Sequence, residues 1–220
     1  MLANDLETAR FNMVAQQIRP NEVIDERVLD ILQTVPREKF VPDEYVGLAF
    51  ADVAVPIGEN QYMMKPVQEA RMLQALQVRK GEEVLEIGTG SGFITACLAS
   101  LGGTVTSYEI HPPLGETATK RLDGFGPRRL DVRIGDGLHA NLAPSSFDVI
   151  AVTGSVPTYP TFLEELLAPG GRLFAVIGEE PAMTAMLISR NDEGEIWRES
   201  LFETVLPMLE NAPQPNHFTF

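Results

Sequence analysis

The sequence predicts an α/β fold: an open, mostly parallel sheet with a helical segment before it and an antiparallel hairpin at its end. Three observations carry this expectation. From about residue 66 to residue 177, strand-like apolar runs alternate with helical stretches, the pattern of successive βα units joined by right-handed crossovers. Val84-Leu85-Glu86-Ile87 runs as an apolar strand into a turn, Gly88-Thr89-Gly90-Ser91-Gly92, and then into an apolar helix, Phe93 to Leu101. Met183 to Arg190 and Ile196 to Val205 flank the polar turn Asn191-Asp192-Glu193-Gly194-Glu195, which reads as a hairpin at the sheet edge.

Residues 4 to 55 read as a helical front section. Leu6, Ala9, Met13, Val14 and Ile18 share one helical face, and Pro20-Asn21 ends that helix. A second helix starts at Asp25, a good N-cap residue, turns Val28, Ile31, Leu32 and Val35 inward, and stops at Pro36. A loop rich in small and apolar residues follows, as far as Pro56-Ile57-Gly58. Pro66 suits the first turn of a helix that buries Ala70, Leu73 and Leu76. Strands are expected at 84–87, 104–109, 130–134, 147–152 and 172–177. Leu114, Ala118 and Leu122 mark one helix. Phe162, Leu163, Leu166 and Leu167 mark another, placed over 157–167, and Pro169-Gly170-Gly171 turns the chain into the next strand. The tail from Asn211 to Pro215 is expected to be extended.

The 220 residues suit one domain with a sizeable core. No apolar run approaches the ~20 residues that span a membrane, and the N-terminus does not read as a secretory signal. The single cysteine, Cys97, sits among apolar residues and reads as core. Together these features point to the cytoplasm. A net charge of -14 repels phosphate backbones. Arg128-Arg129, the only adjacent arginine pair, reads as a solvated loop, so nucleic acid is not expected as a partner. The three histidines and one cysteine show no metal-ligand spacing.

The glycine turn carries the chemistry. Glycines between a strand and a helix let backbone approach a ligand closely, and the helix start offers free N–H groups. A dinucleotide site needs Gly-x-Gly-x-x-Gly, but Phe93 stands where the third glycine belongs. Glu86, two residues before Gly88, would repel a pyrophosphate; a cofactor with a cationic amino-acid end and no phosphate tolerates it, which fits S-adenosylmethionine. Glu109 closes the next strand 21 residues after Gly88, where an acid accepts hydrogen bonds from both ribose hydroxyls. Gly135-Asp136-Gly137 and Thr153-Gly154-Ser155 also follow strands, so four loops converge on the rim where open α/β sheets hold ligands.

These residues resemble those of Rossmann-like class I S-adenosylmethionine-dependent methyltransferases. More narrowly, Met13-Val14-Ala15-Gln16-Gln17-Ile18, Val35-Pro36-Arg37-Glu38-Lys39-Phe40-Val41-Pro42, Ala51-Asp52 to Gly58, Gly135-Asp136-Gly137 and Pro169-Gly170-Gly171-Arg172-Leu173 are similar to the protein-L-isoaspartate O-methyltransferase family. The resemblance runs from Met13 to about Val205. It implies a seven-stranded sheet, an N-terminal helical segment with a substrate-side loop over 1–58, and a cofactor-binding domain over 59–220, the two forming one structural unit. It further implies that Gly88, Thr89, Gly90, Ser91 and Gly92 wrap the methionine and ribose part of S-adenosylmethionine, and Glu86 is expected among the cofactor-binding residues. Glu109 and the adjacent Ile110 would meet the ribose, Asp136 and Gly137 the adenine, and Thr153 the region of the transferred methyl. The implied acceptor is an isoaspartyl carboxylate in a damaged protein.

One segment departs from the family pattern. Where the family has Gln-Thr-Ile-Ser and then, one residue later, Pro, this chain has Gln61-Tyr62-Met63-Met64-Lys65-Pro66. Met64 stands at the position of the serine expected to hold the substrate carboxylate, and methionine donates no hydrogen bond. Tyr62 or Lys65 could take over, although Lys65 also reads as a plain loop charge. Two other readings stay open: methyl transfer to a different acceptor oxygen, and a silent cofactor-binding protein. A hydroxyl acceptor would need a general base. His111, His139 and His217 read as surface residues, with His111 near the cofactor. The Asn/Asp-Pro-Pro-aromatic segment of amino-methylating enzymes is absent at Thr153-Gly154-Ser155-Val156-Pro157.

Overall fold

The computed structural model describes residues 2–123, 125 and 130–214; Arg128-Arg129, Pro215 and His217 lie outside the described residues. Helix α1 (Leu2–Asn12) continues through a π-helical turn, Met13–Ile18, that buries Met13, Val14 and Ile18. A 3₁₀ turn at Arg19–Asn21 and a left-handed Glu22 end it, as Pro20-Asn21 predicts. Helix α2 (Glu26–Thr34) is capped by the Asp25 side chain, which accepts from the Arg27 N–H, and it buries Val28, Leu29 and Leu32.

The expected loop to Gly58 is more ordered than its composition suggests. It holds two 3₁₀ turns, Arg37–Lys39 and Asp43–Leu48, and then strand β1 (Val55–Gly58). β1 pairs antiparallel with β2 (Gln61–Met63) through Glu59 and Asn60, both in left-handed conformation. A glutamate in that conformation is uncommon, which is why the hairpin is hard to see in the sequence.

Helix α3 (Pro66–Leu76) then leads into β3 (Glu83–Ile87), α4 (Phe93–Ser100), β4 (Thr104–Glu109), α5 (Pro112–Leu122), β5 (Leu130–Ile134), β6 (Phe147–Val156), α6 (Thr161–Glu164), β7 (Leu167–Glu179), β8 (Ala182–Arg190) and β9 (Ile196–Thr204). The sheet order is β5-β4-β3-β6-β7-β8-β9. The first five strands are parallel, β8 runs against them, and β9 returns parallel. The order reverses between β3 and β6, so the switch point opens above the carboxyl ends of these central strands. One face of the sheet packs on α3, α4 and the front section. The other encloses Leu85, Ile150, Val152, Leu163 and Leu173. No helix among the described residues is long and apolar enough to cross a membrane.

The helix expected over 157–167 is corrected. Only α6 is helical; β6 extends to Val156 and β7 begins at Leu167. Pro160 disfavours helical backbone at Tyr159, so the apolar stripe cannot wind from Pro157. Pro169-Gly170-Gly171 does loop out. β7 partners Phe147 through Leu167 and Val149 through Arg172, and a Cβ at Gly171 would press on three carbonyl oxygens. Arg172 then donates to the carbonyls of Leu76 and Gln77 and to Glu82, tying the end of α3 to the sheet.

Glu86, expected at the cofactor site, lies one layer beneath it. The side chain is fully buried. Oε2 accepts from the Thr95 and Ser107 hydroxyls at 2.6 Å each, and Oε1 has no partner among the described residues. Burial pushes its pKa up to about 7, partly offset by those two hydroxyls and reinforced by the charge of Glu109. The unfolded chain ionises first, so stability attributable to this group is present below pH 4.5 and drains away as pH rises through about 7. Glu86→Gln removes that dependence. Urea unfolding of parent and variant should show the variant's advantage growing by roughly 2 kcal/mol between about pH 5.5 and pH 8. A difference that does not change with pH would mean the carboxyl is not neutral in the fold.

Candidate active site

The site is built on the crook between β3 and α4. Gly88, Gly90 and Gly92 all have positive φ, at 100°, 52° and 88°. Gly88 has a second reason to be glycine: a Cβ there would stand 2.4 Å from the Thr153 hydroxyl oxygen. That hydroxyl donates to the Gly88 carbonyl at 2.5 Å and lies 2.9 Å from that of Ile87. The Tyr108 carbonyl receives the N–H groups of Gly88 and Thr89. The crook is therefore fastened to β4 and β6, the neighbours of β3 on either side.

A cleft of about 670 Å³ opens beside the crook. The predicted residues Gly88, Gly90, Glu109, Ile110, Asp136, Gly137 and Thr153 all line it. A second cavity of about 310 Å³ shares Gly88, Gly90 and Thr153 and adds Thr89 and Ser91. Its far wall is Ile57, Tyr62, Met63 and Met64. Eleven of the fourteen expected residues line one cavity or the other; Glu86, Gly92 and Lys65 line neither. Gly92 faces Ala118 and Leu122 of α5 rather than either cavity. Lys65 is exposed and lines neither cavity; its N–H donates to Gln68 at the start of α3. Tyr62 is half exposed, lines both cavities, and its hydroxyl makes no hydrogen bond to a described residue.

The acids are held in place. Glu109 is buried; Oε2 accepts the Gly90 N–H at 2.7 Å and Oε1 the His111 N–H at 3.0 Å. An ionised carboxylate offers about four lone-pair positions, so acceptor capacity remains for a ligand. Asp136 accepts from the Leu138 N–H, the Asn211 amide and His139. Burial works to raise its pKa, but the bonds from Asn211, His139 and Leu138 outweigh it and hold the carboxyl below its ordinary value.

One wall was not legible in the sequence. Pro207, Met208, Leu209 and Glu210 cross the cleft after the last strand. This segment is pinned by Ser155, whose hydroxyl donates to the Leu206 carbonyl and whose backbone bonds Pro207 and Leu209. Ser155 thus faces the tail and not the cleft. The expected extended tail instead holds a left-handed Asn211 and a buried Ala212. His111, on the cleft wall, sits 3.1 Å from Glu210 and 4.0 Å from Glu59. The only signal for this wall was the apolar spacing of Leu206 and Leu209, too short to assign.

The donor set decides what the cleft can hold. Among the described residues its charged side chains are Glu109, Asp136 and Glu210, the second cavity adds Glu69, and neither wall carries a lysine or arginine. A phosphate-bearing cofactor would face three acids here and no lysine or arginine among the described residues. A ligand with a ribose, a donor-bearing base and a cationic end meets acceptors.

Comparison with known proteins agrees with this geometry. The family model described as "Protein-L-isoaspartate(D-aspartate) O-methyltransferase (PCMT)" matches residues 9–210. The chain is 37% identical over 195 residues to protein-L-isoaspartate O-methyltransferase 2 of Geotalea uraniireducens, covering 89% of this chain and 90% of the relative. It is 40% identical over 192 residues to the protein of the same name in Marinobacter nauticus, covering 87% and 88%. Its fold is similar to the crystal structure of a protein-L-isoaspartate O-methyltransferase from Plasmodium falciparum, in complex there with S-adenosyl-L-homocysteine. That likeness has a TM-score of 0.78 at 20% identity, over 93% of this chain and 98% of the other. With the match spanning front section, crook and sheet alike, the chain belongs to the protein-L-isoaspartate(D-aspartate) O-methyltransferase family.

Proposed function

We propose that this protein transfers the methyl group of S-adenosylmethionine to the carboxylate of an L-isoaspartyl residue in a damaged protein, and that it works in the cytoplasm. The observation that carries the reading is the pairing of two cavities across one crook: a cleft walled by Glu109, Asp136 and Glu210 on one side, and on the other an acceptor cavity where Met63, Met64, Phe93 and Ile94 stand beside the hydroxyl residues Tyr62, Thr89, Ser91 and Thr153 and the acid Glu69. S-adenosylmethionine supplies a methyl group activated on a sulfonium sulfur. The acceptor is already a nucleophile, because a carboxylate with a pKa near ~4 is ionised at pH 7. No side chain has to remove a proton, and the chain's task is alignment.

Each residue then has a part. Gly88 to Ser91 keep the backbone bare beside the cationic end of the donor. Glu109 accepts the ribose hydroxyls, and Asp136 accepts the adenine amino group. Leu114 and Leu138 provide apolar walls for the ring. Thr153, shared by both cavities, marks the junction where methyl and carboxylate meet. Tyr62 is the hydroxyl available to hold the acceptor carboxylate in place of the family serine, while Met64 lines the cavity without donating to it.

Two measurements test this assignment. Glu109→Gln keeps the shape of the carboxylate and halves its acceptor capacity. Calorimetry should show S-adenosylhomocysteine binding weakened roughly 10- to 150-fold, the worth of a hydrogen bond to a charged group. Unchanged affinity would remove Glu109 from the ribose. Met64→Ser restores a hydroxyl to the acceptor cavity, and kcat/KM on an isoaspartyl peptide with labelled donor should rise about tenfold or more. If the parent and this variant both leave the peptide unmethylated at high enzyme concentration, isoaspartate is not the acceptor.

A further inference from the structure

Arg37 is among the largest fully buried side chains of the described residues. It comes from the front section and touches neither cavity. Its guanidinium is nonetheless almost fully employed. Nε donates to Glu69 Oε2 at 2.9 Å and Nη2 to Glu69 Oε1 at 3.1 Å, a bidentate pair with α3. Nη1 donates to the Ala49 carbonyl, and Nη2 also donates to the Met64 carbonyl at 2.7 Å. Its face lies 5.4 Å from the centre of the Phe93 ring, at the first turn of α4. Phe93, Glu69 and Met64 all line the acceptor cavity.

A buried ion pair of this kind is a poor means of adding stability, because desolvating two charges cancels most of their attraction. What it does supply is direction. The planar fork fixes four groups at set angles, which a lysine could not do. Two of its bonds end on backbone carbonyls of the 49–64 stretch rather than on side chains. The position of residue 64 is thereby set through its carbonyl oxygen, whatever side chain it carries.

We propose that Arg37 is a positioning residue for methyl transfer: it clamps the acceptor loop, residues 61–65, at a fixed height over the glycine crook and so sets where the acceptor carboxylate lies, without touching it. The proposal rests on the methyl-transfer reading for its kinetic consequence. It also explains how this chain can carry Met64 in place of a serine and keep the loop where it is. The side chain changed while the carbonyl that positions it did not.

The test uses the full chain in two variants. Arg37→Lys keeps the charge and loses the fork. Arg37→Met combined with Glu69→Met replaces the pair by apolar side chains of similar volume, an exchange that commonly leaves a fold intact or firmer. Hydrogen exchange should show the amides of residues 61–65 losing protection at least tenfold in both variants, with β3 and β6 unchanged. Calorimetric affinity for S-adenosylhomocysteine should stay within about twofold of the parent. For an isoaspartyl peptide, KM of the Arg37→Lys variant, which leaves Glu69 on the cavity wall, should rise about tenfold or more while kcat changes less than threefold. If the loop keeps its protection in the double variant, or protection in the sheet falls along with it, Arg37 is a packing residue and the proposal fails. Should the parent not methylate the peptide, the functional reading fails, and the exchange measurement still decides the clamp.

Discussion

Everything in this molecule's site depends on a stretch of backbone that must be both bare and rigid. Bareness comes from Gly88, Gly90 and Gly92, whose positive φ values and crowded surroundings leave little room for side chains. Glycine alone would make the crook floppy, since it loses more conformational freedom on folding than any other residue. Rigidity is imported from the neighbouring strands. Tyr108 lends its carbonyl to two N–H groups, Glu109 takes a third, and the Thr153 hydroxyl locks the Gly88 carbonyl from the opposite side. The same acid that faces the cleft also fixes the loop beside it, so shape and charge are set by one interaction.

Local periodicity made most of the sheet legible. Each βα unit announces itself through a short apolar run and a glycine or proline boundary, and the C-terminal hairpin through its polar turn. The crook, Glu109 and the Gly135-Asp136-Gly137 turn could be placed together because parallel sheets bring the carboxyl ends of their strands to one rim, whereas Thr153-Gly154-Ser155, expected to follow a strand, lies inside β6. What stayed hidden depends on contacts between distant residues. The β1–β2 hairpin turns on left-handed Glu59 and Asn60, a conformation that composition does not disclose. The helix expected over 157–167 had a convincing apolar stripe, but Pro160 and the pull of the adjacent strands overrode it. Glu86 could not be told apart from a ligand-facing acid by spacing alone, because consecutive residues of a strand point to opposite faces.

The front section and the sheet share one core: Met13, Val14, Val28, Leu32 and Phe40 pack in the same cluster as Leu73, Phe93 and Leu98. Phe40 stacks edge-on with Phe93 at 5.6 Å, so the apolar contact that seats the front section also braces the helix rising from the crook. Burial and chemistry therefore meet at α4: its first residue is core on one side and cavity wall on the other.

The segment after β9 spans the cleft, held by Ser155, Asp136, Thr158 and Gln68 and seated through the buried side chains of Leu206 and Ala212. Any ligand that presses on Met208 and Leu209 adds its own binding free energy to those contacts. Filling the cleft and holding this strap across it are therefore one linked equilibrium.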